Sequence, residues 1–171
     1  SYPCIKPHLM ALDFRKYRQI GVPDIYMCYI EPNDWYSYEP THFFHARLAW
    51  DPHQDVDAAI ADYAEKRYPG AGQEMVTYLT EIENGFNQFG KVRGFDYALP
   101  NLERAREHFD LADKGLKSAL EKVSDPGAKW LIDKNVKSLR YARDGLAIWY
   151  LVKTGRPDEA IATGEALAAF L

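Results

Sequence analysis

The chain has 171 residues, 47% of them hydrophobic, enough to bury one sizeable core within the usual size of a single domain. Twenty-five acidic residues against twenty-one basic ones leave a net charge of −4, and no Lys/Arg cluster interleaved with aromatics follows a phosphate backbone, so nucleic acid is not an expected partner. The longest apolar stretches, such as residues 145–152, fall far short of the ~20 residues that cross a bilayer, so no membrane is expected either.

The opening Ser1-Tyr2-Pro3 has neither an initiator Met nor a basic segment leading into an apolar one, and it is read as a cut or processed chain whose natural protein extends upstream. From residue 8 to residue 21, Met10, Phe14, Tyr17 and Ile20 recur at helical spacing, and Gly21 followed by Val22-Pro23 supplies the stop. Residues 24–31 (DIYMCYIE) are short, aromatic and β-branched, and sit between Pro23 and Pro32, which predicts a strand. Residues 33–40 (NDWYSYEP) mix turn formers with three aromatics and predict a surface loop. Cys4 and Cys28 are the only cysteines, which excludes a disulfide-rich scaffold and a cysteine-rich zinc cluster; two free thiols and a single bridge both fit.

After Pro40 the pattern is helical throughout. Phe44, Leu48 and Trp50 mark a helix that Asp51-Pro52 closes, and Asp55 caps the next, whose inner face is Val56, Ile60 and Tyr63. Residues 67–72 (RYPGAG) break it before a helix carrying Val76, Leu79, Ile82, Phe86 and Phe89. Leu99, Leu102, Phe109, Ala112, Leu116, Ala119 and Val123 then trace one face of a long helix. Ser124-Asp125-Pro126 starts another, because Asp125 accepts from orphan amides and Pro126 has no N–H to leave unpaired; its inner face is Ile132, Val136, Leu139, Leu146 and Trp149. Gly155 ends that helix, and Pro157 opens a last one with Ala160, Ile161, Leu167 and Phe170 on its apolar side.

The expected fold is therefore mainly α. Residues 40–171 form an antiparallel bundle of about five or six helices. Residues 1–39 supply an N-terminal helix, one short strand and the aromatic loop. A lone strand cannot satisfy its own backbone groups, so its partner strands are expected from elsewhere.

Phe43, Leu48-Ala49-Trp50-Asp51-Pro52, Asp55-Val56-Asp57 and Tyr68-Pro69-Gly70 carry a resemblance. Residues 45–83 resemble the helical segment that follows the barrel in certain bacterial glycoside hydrolase-like proteins, which are similar to α-glucuronidases and hexosaminidases. Pro69 between the Tyr and the Gly departs from that pattern. The resemblance implies that residues 10–20 and 24–31 are the last helix and strand of a (β/α)₈ barrel, and that the preceding barrel domain of the same protein is a partner. Sites in such barrels lie at the C-terminal ends of the strands, which implies that Glu31, Asn33, Asp34, Trp35 and Tyr36 face a carbohydrate.

Glycosidases need two carboxyl groups flanking the scissile bond, and Glu31 and Asp34 share one loop too closely for that division of labour; loop solvation and turn formation are the stronger reading for both. Trp35, Tyr36 and Tyr38 suit stacking on a sugar face, and packing onto the helices equally. His42 and His45 share a helical face near His53, Asp55 and Asp57, but a helix N-terminus favours those carboxylates without any metal. Glu81 and Glu83, and the mixed charges Arg104, Arg106, Lys114 and Lys117, read as solvated helix surface. No Gly-x-Gly-x-x-Gly, phosphate-binding loop or Gly-x-Ser-x-Gly occurs, so no cofactor is implied.

These features predict an accessory or structural helical domain of a carbohydrate-active protein, not catalytic by itself. The rival is a tetratricopeptide-like interaction module, because residues 147–170 look like one helix, turn and helix of that kind, in a single visible copy.

Overall fold

The computed structural model describes residues 5–22, 35–90 and 97–170, and of residues 35–37 the backbone alone. They fold into seven helices: α1 (Pro7–Gln19), α2 (Trp35–Trp50), α3 (Val56–Arg67), α4 (Gly72–Asn87), α5 (Leu99–Lys122), α6 (Pro126–Lys153) and α7 (Pro157–Phe170). The protein is mainly α, as the periodicity predicts, although the count is seven against the five or six helices expected of the bundle. The predicted strand at residues 24–31 lies outside the described residues, as do Cys4 and Cys28.

One expectation fails outright. Residues 35–40 are not loop but the first turn and a half of α2, with Pro40 inside the helix. Proline there forfeits only the bond to the Tyr36 carbonyl, and its fixed φ is helical, so so early a proline does not end the helix. The segment is also tied down: the Glu39 carboxylate takes hydrogen bonds from Arg67 of α3 at 2.5 and 2.9 Å and from the Tyr63 hydroxyl at 3.3 Å.

Helix ends follow the local chemistry. Asp55 accepts from the Ala58 amide at 3.0 Å, and Asp125 from the Ala128 amide at 2.7 Å, with Pro126 at the first helical position. At the end of α6, Gly155 takes φ +73°, which a side chain would oppose; its amide bonds the Val152 carbonyl and the Arg156 amide bonds that of Leu151, and α1 ends the same way at Gly21.

The core is one continuous cluster in which Ile5, Ala11 and Phe14 from the N-terminal part join Phe44, Leu48, Ile60, Leu79, Ile82, Phe109, Leu116 and Ile132. α4 and α5 form the most extensive pair and run antiparallel, since Gly85 meets Phe109 while Glu74 and Tyr78 meet Gly115. α6, about 42 Å long at 1.5 Å per residue, packs back along α5, and α7 along α6. α1 rests on α2 and α3, and α2 on α6.

Several predicted inner faces are rotated from those observed. On α1 the buried residues are Pro7, Ala11 and Phe14, while Tyr17 and Ile20 are exposed. Trp149 and Ile161, expected on inner faces, are exposed, as is Trp50, to 86%. Trp50 ends α2 and Ile161 lies on the outer side of α7, while Trp149, inside α6, carries the Tyr97 ring stacked on it with centres 4.9 Å apart. No described helix is long and apolar enough to cross a membrane.

Candidate functional site

Of the residues expected to face a sugar, Glu31, Asn33 and Asp34 lie outside the described residues. Trp35 and Tyr36 begin α2, and only their backbone is described.

The histidines and acids of residues 42–57 are put to structural use. His45 sits edge-on to Phe14 with ring centres 5.1 Å apart, and burial, then the neighbouring His42, pushes its pKa down. The Asp51 carboxylate accepts from the His53 amide at 3.0 Å. Among the described residues no three His, Cys, Asp or Glu side chains are arranged to hold a metal ion.

Two polar constellations were missed in the sequence. Glu83 is not on a solvated surface: it is 3% exposed, because α4 is covered on a wide arc and the N-terminus of α1 closes over this position. Its carboxylate accepts from the His8 amide at 3.0 Å and lies 2.7 Å from His8 Nδ1, while His8 Nε2 lies 3.2 Å from Asp57. Burial draws the His8 pKa down, but the bonds and charges of Glu83 and then Asp57 outweigh it and leave the value above 6.5. Glu81, likewise expected to be solvated, pairs with His108 at 2.6 Å.

The second constellation is a cleft of about 520 Å³ between α5, α6 and the turn into α7. Arg106, Arg140, Arg143 and Arg156 line it, four of the ten arginines in a chain that is acidic overall. Leu102, Phe109, Leu146 and Leu151 provide apolar wall, and Asp144 is the one carboxylate among the lining residues.

No family model, curated protein or solved structure matches this chain.

The four guanidiniums are not equivalent. Arg143 bridges α6 to α5 through Asp110 at 2.6 Å and Asp113 at 3.3 Å, and Arg156 is held by both oxygens of Glu159. Arg140 lies 4.0 Å above the Phe170 ring, with Asp144 at 3.4 Å at the outer limit of a hydrogen bond. Arg106 has no acidic partner among the described residues. In the sequence Arg106 reads as ordinary helix surface because Glu103 and Glu107 alternate in sign with it. The available signal was Arg140 and Arg143 at a spacing of three, on the helical face that also carries Leu146 and Ala147.

Proposed function

We propose that this chain is a non-catalytic helical domain of a larger carbohydrate-active, glycoside hydrolase-like protein, docked on the body that carries the chemistry. The observation that carries the reading is the outer side of α1. Leu9, Leu12 and Ile20 share a helical face turned away from the core and are 45%, 59% and 61% exposed. Arg18 donates to the Trp50 carbonyl at 2.9 Å and Arg15 to that of Pro52 at 2.6 Å, so the exposed Trp50 is fixed beside the same helix. Large apolar groups displayed on one side of a domain favour cover by a partner surface.

On this reading the cover is a preceding barrel domain of the same protein, residues 24–31 add a strand to it, and the segment from Glu31 to Tyr36 faces a saccharide. The resemblance over residues 45–83 supports the carbohydrate part, and α2 ending at Trp50 with Asp55 capping α3 is compatible with that motif. The natural coding sequence and its product test both parts. Strand and helix units upstream, together with binding on an array of uronic-acid and amino-sugar glycans, are expected; no such units, or no glycan bound by the full-length product, overturns the proposal.

The tetratricopeptide reading is weaker on geometry. A repeat of about 34 residues holding two helices has no room for α6, which alone spans 28 residues.

A further inference from the structure

We propose that the cleft between α5, α6 and the α6–α7 turn binds a small organic anion, with a carboxylate or phosphate monoester head held by Arg106 and Arg140 and an apolar body against Leu102, Phe109, Leu146 and Leu151. The inference is independent of the carbohydrate reading.

The volume suits a small molecule: at about 520 Å³ it falls inside the range of ligand clefts, and its walls combine apolar side chains with a few polar groups in the way such clefts do. The charge selects an anion. Four guanidiniums line the walls against a single carboxylate, and the acids that hold Arg143 and Arg156 (Asp110, Asp113 and Glu159) are not among the lining residues. Those two arginines are therefore fixed in place with their charge balanced by these acids, and the unbalanced positive charge rests on Arg106 and Arg140.

Arg106 and Arg140 have donors to give. The Arg140 guanidinium lies over the Phe170 ring, a contact that uses up no N–H hydrogen bond, and its donors have only the long contact to Asp144. Arg106 has no carboxylate at all among the described residues. A planar fork of N–H donors matches carboxylate and phosphate oxygens in a way lysine does not, and no lysine lines the cleft.

Calorimetric titration of the full chain with phenyl phosphate, phenylacetate, benzyl alcohol and inorganic phosphate is the test. Saturable binding of one or both aromatic anions is expected, weakening as salt is added. The stronger of the two identifies the head group. Inorganic phosphate is expected to bind less tightly than phenyl phosphate because it lacks the apolar body. Arg106→Gln and Arg140→Gln should each weaken binding by about tenfold or more, the loss of one charge-assisted hydrogen bond, with thermal unfolding unchanged for the exposed Arg106 variant. The proposal is overturned if neither aromatic anion binds up to about 10 mM, if benzyl alcohol binds as well as they do, or if both variants keep the parent affinity.

Discussion

His8 and Glu83, 75 residues apart in sequence, form a helix cap in space. α1 begins at Pro7 behind Lys6, which offers no side-chain acceptor, and Glu83 of α4 takes the His8 amide with one oxygen and approaches the imidazole with the other. A carboxylate at a helix N-terminus also meets the positive end of the helix dipole. The same helix start is fastened once more by Lys6, whose ammonium donates to the Phe86 carbonyl at 3.1 Å.

This pairing gives stability a definite pH dependence. The folded-state pKa of His8 is raised above 6.5, so its contribution is fully present below pH 6.5 and is lost as pH rises through the folded value. His45 works in the opposite sense: its folded pKa is lowered, and the stability linked to it is lost as pH falls. The readable quantity is therefore the difference between the parent chain and His8→Ala in urea unfolding from about pH 5.5 to pH 8. That difference should be largest at the acid end and shrink as pH rises. At acid pH the loss should be about 1–3 kcal/mol, because a buried carboxylate oxygen is left without its partner. A difference independent of pH would mean that the imidazole is not charged by Glu83 and Asp57.

Asn135 is a second buried polar group whose partners account for it completely. Its Oδ1 accepts from the Tyr78 hydroxyl at 3.2 Å, and its Nδ2 donates to the Leu131 carbonyl at 2.9 Å and to the Tyr68 hydroxyl at 3.4 Å. Burial pushes the phenol pKa of Tyr78 and of Tyr68 up, so both remain neutral hydroxyls at any ordinary pH. Asn135→Leu should cost about 1–3 kcal/mol by leaving the buried Tyr78 hydroxyl without its acceptor, while Tyr78→Phe alone removes one bond. In the double variant the losses should fall short of the sum by about 0.5 kcal/mol or more. Additive losses in denaturant unfolding would show that Tyr78 and Asn135 do not depend on one another.

The parts of this fold legible in the sequence are those decided within one helix. Apolar spacing located α3 to α7, and Asp55, Asp125 and Gly155 marked their ends because capping is a matter of a few adjacent residues. The rest depends on what lies across the contact. Glu83 looks like a surface residue until the start of α1 is laid over it, and Trp50 continues the apolar spacing of α2 yet ends that helix with its ring exposed. Pro40 misled because its effect depends on its position in α2, which its immediate neighbours do not reveal. The arginine cleft was hidden for the same reason: Arg106 and Arg140 stand on different helices and become one feature only when α5 and α6 pack.

Packing of α4 on α5 makes the sharpest prediction, because helix propensity and tertiary contact oppose each other there. A Cβ on Gly85 would stand 2.3 Å from Cε1 and 2.7 Å from Cδ1 of Phe109, a ring that is 1% exposed and packed against Phe86 with centres 5.1 Å apart. Alanine gains about 0.8–1 kcal/mol of helix propensity over glycine, but forcing a methyl into a filled core costs typically about 1–3 kcal/mol. Overpacking wins, and Gly85→Ala should lower stability. Gly164 is the control: a Cβ there meets nothing closer than Ile148 Cδ1 at 3.8 Å, an ordinary contact, so Gly164→Ala should raise stability by up to about 1 kcal/mol. Opposite signs for the two substitutions in urea unfolding are expected. If Gly85→Ala is as stable as the parent, α4 and α5 do not approach as closely as described, and the wall that Phe109 gives the arginine cleft would need to be redrawn.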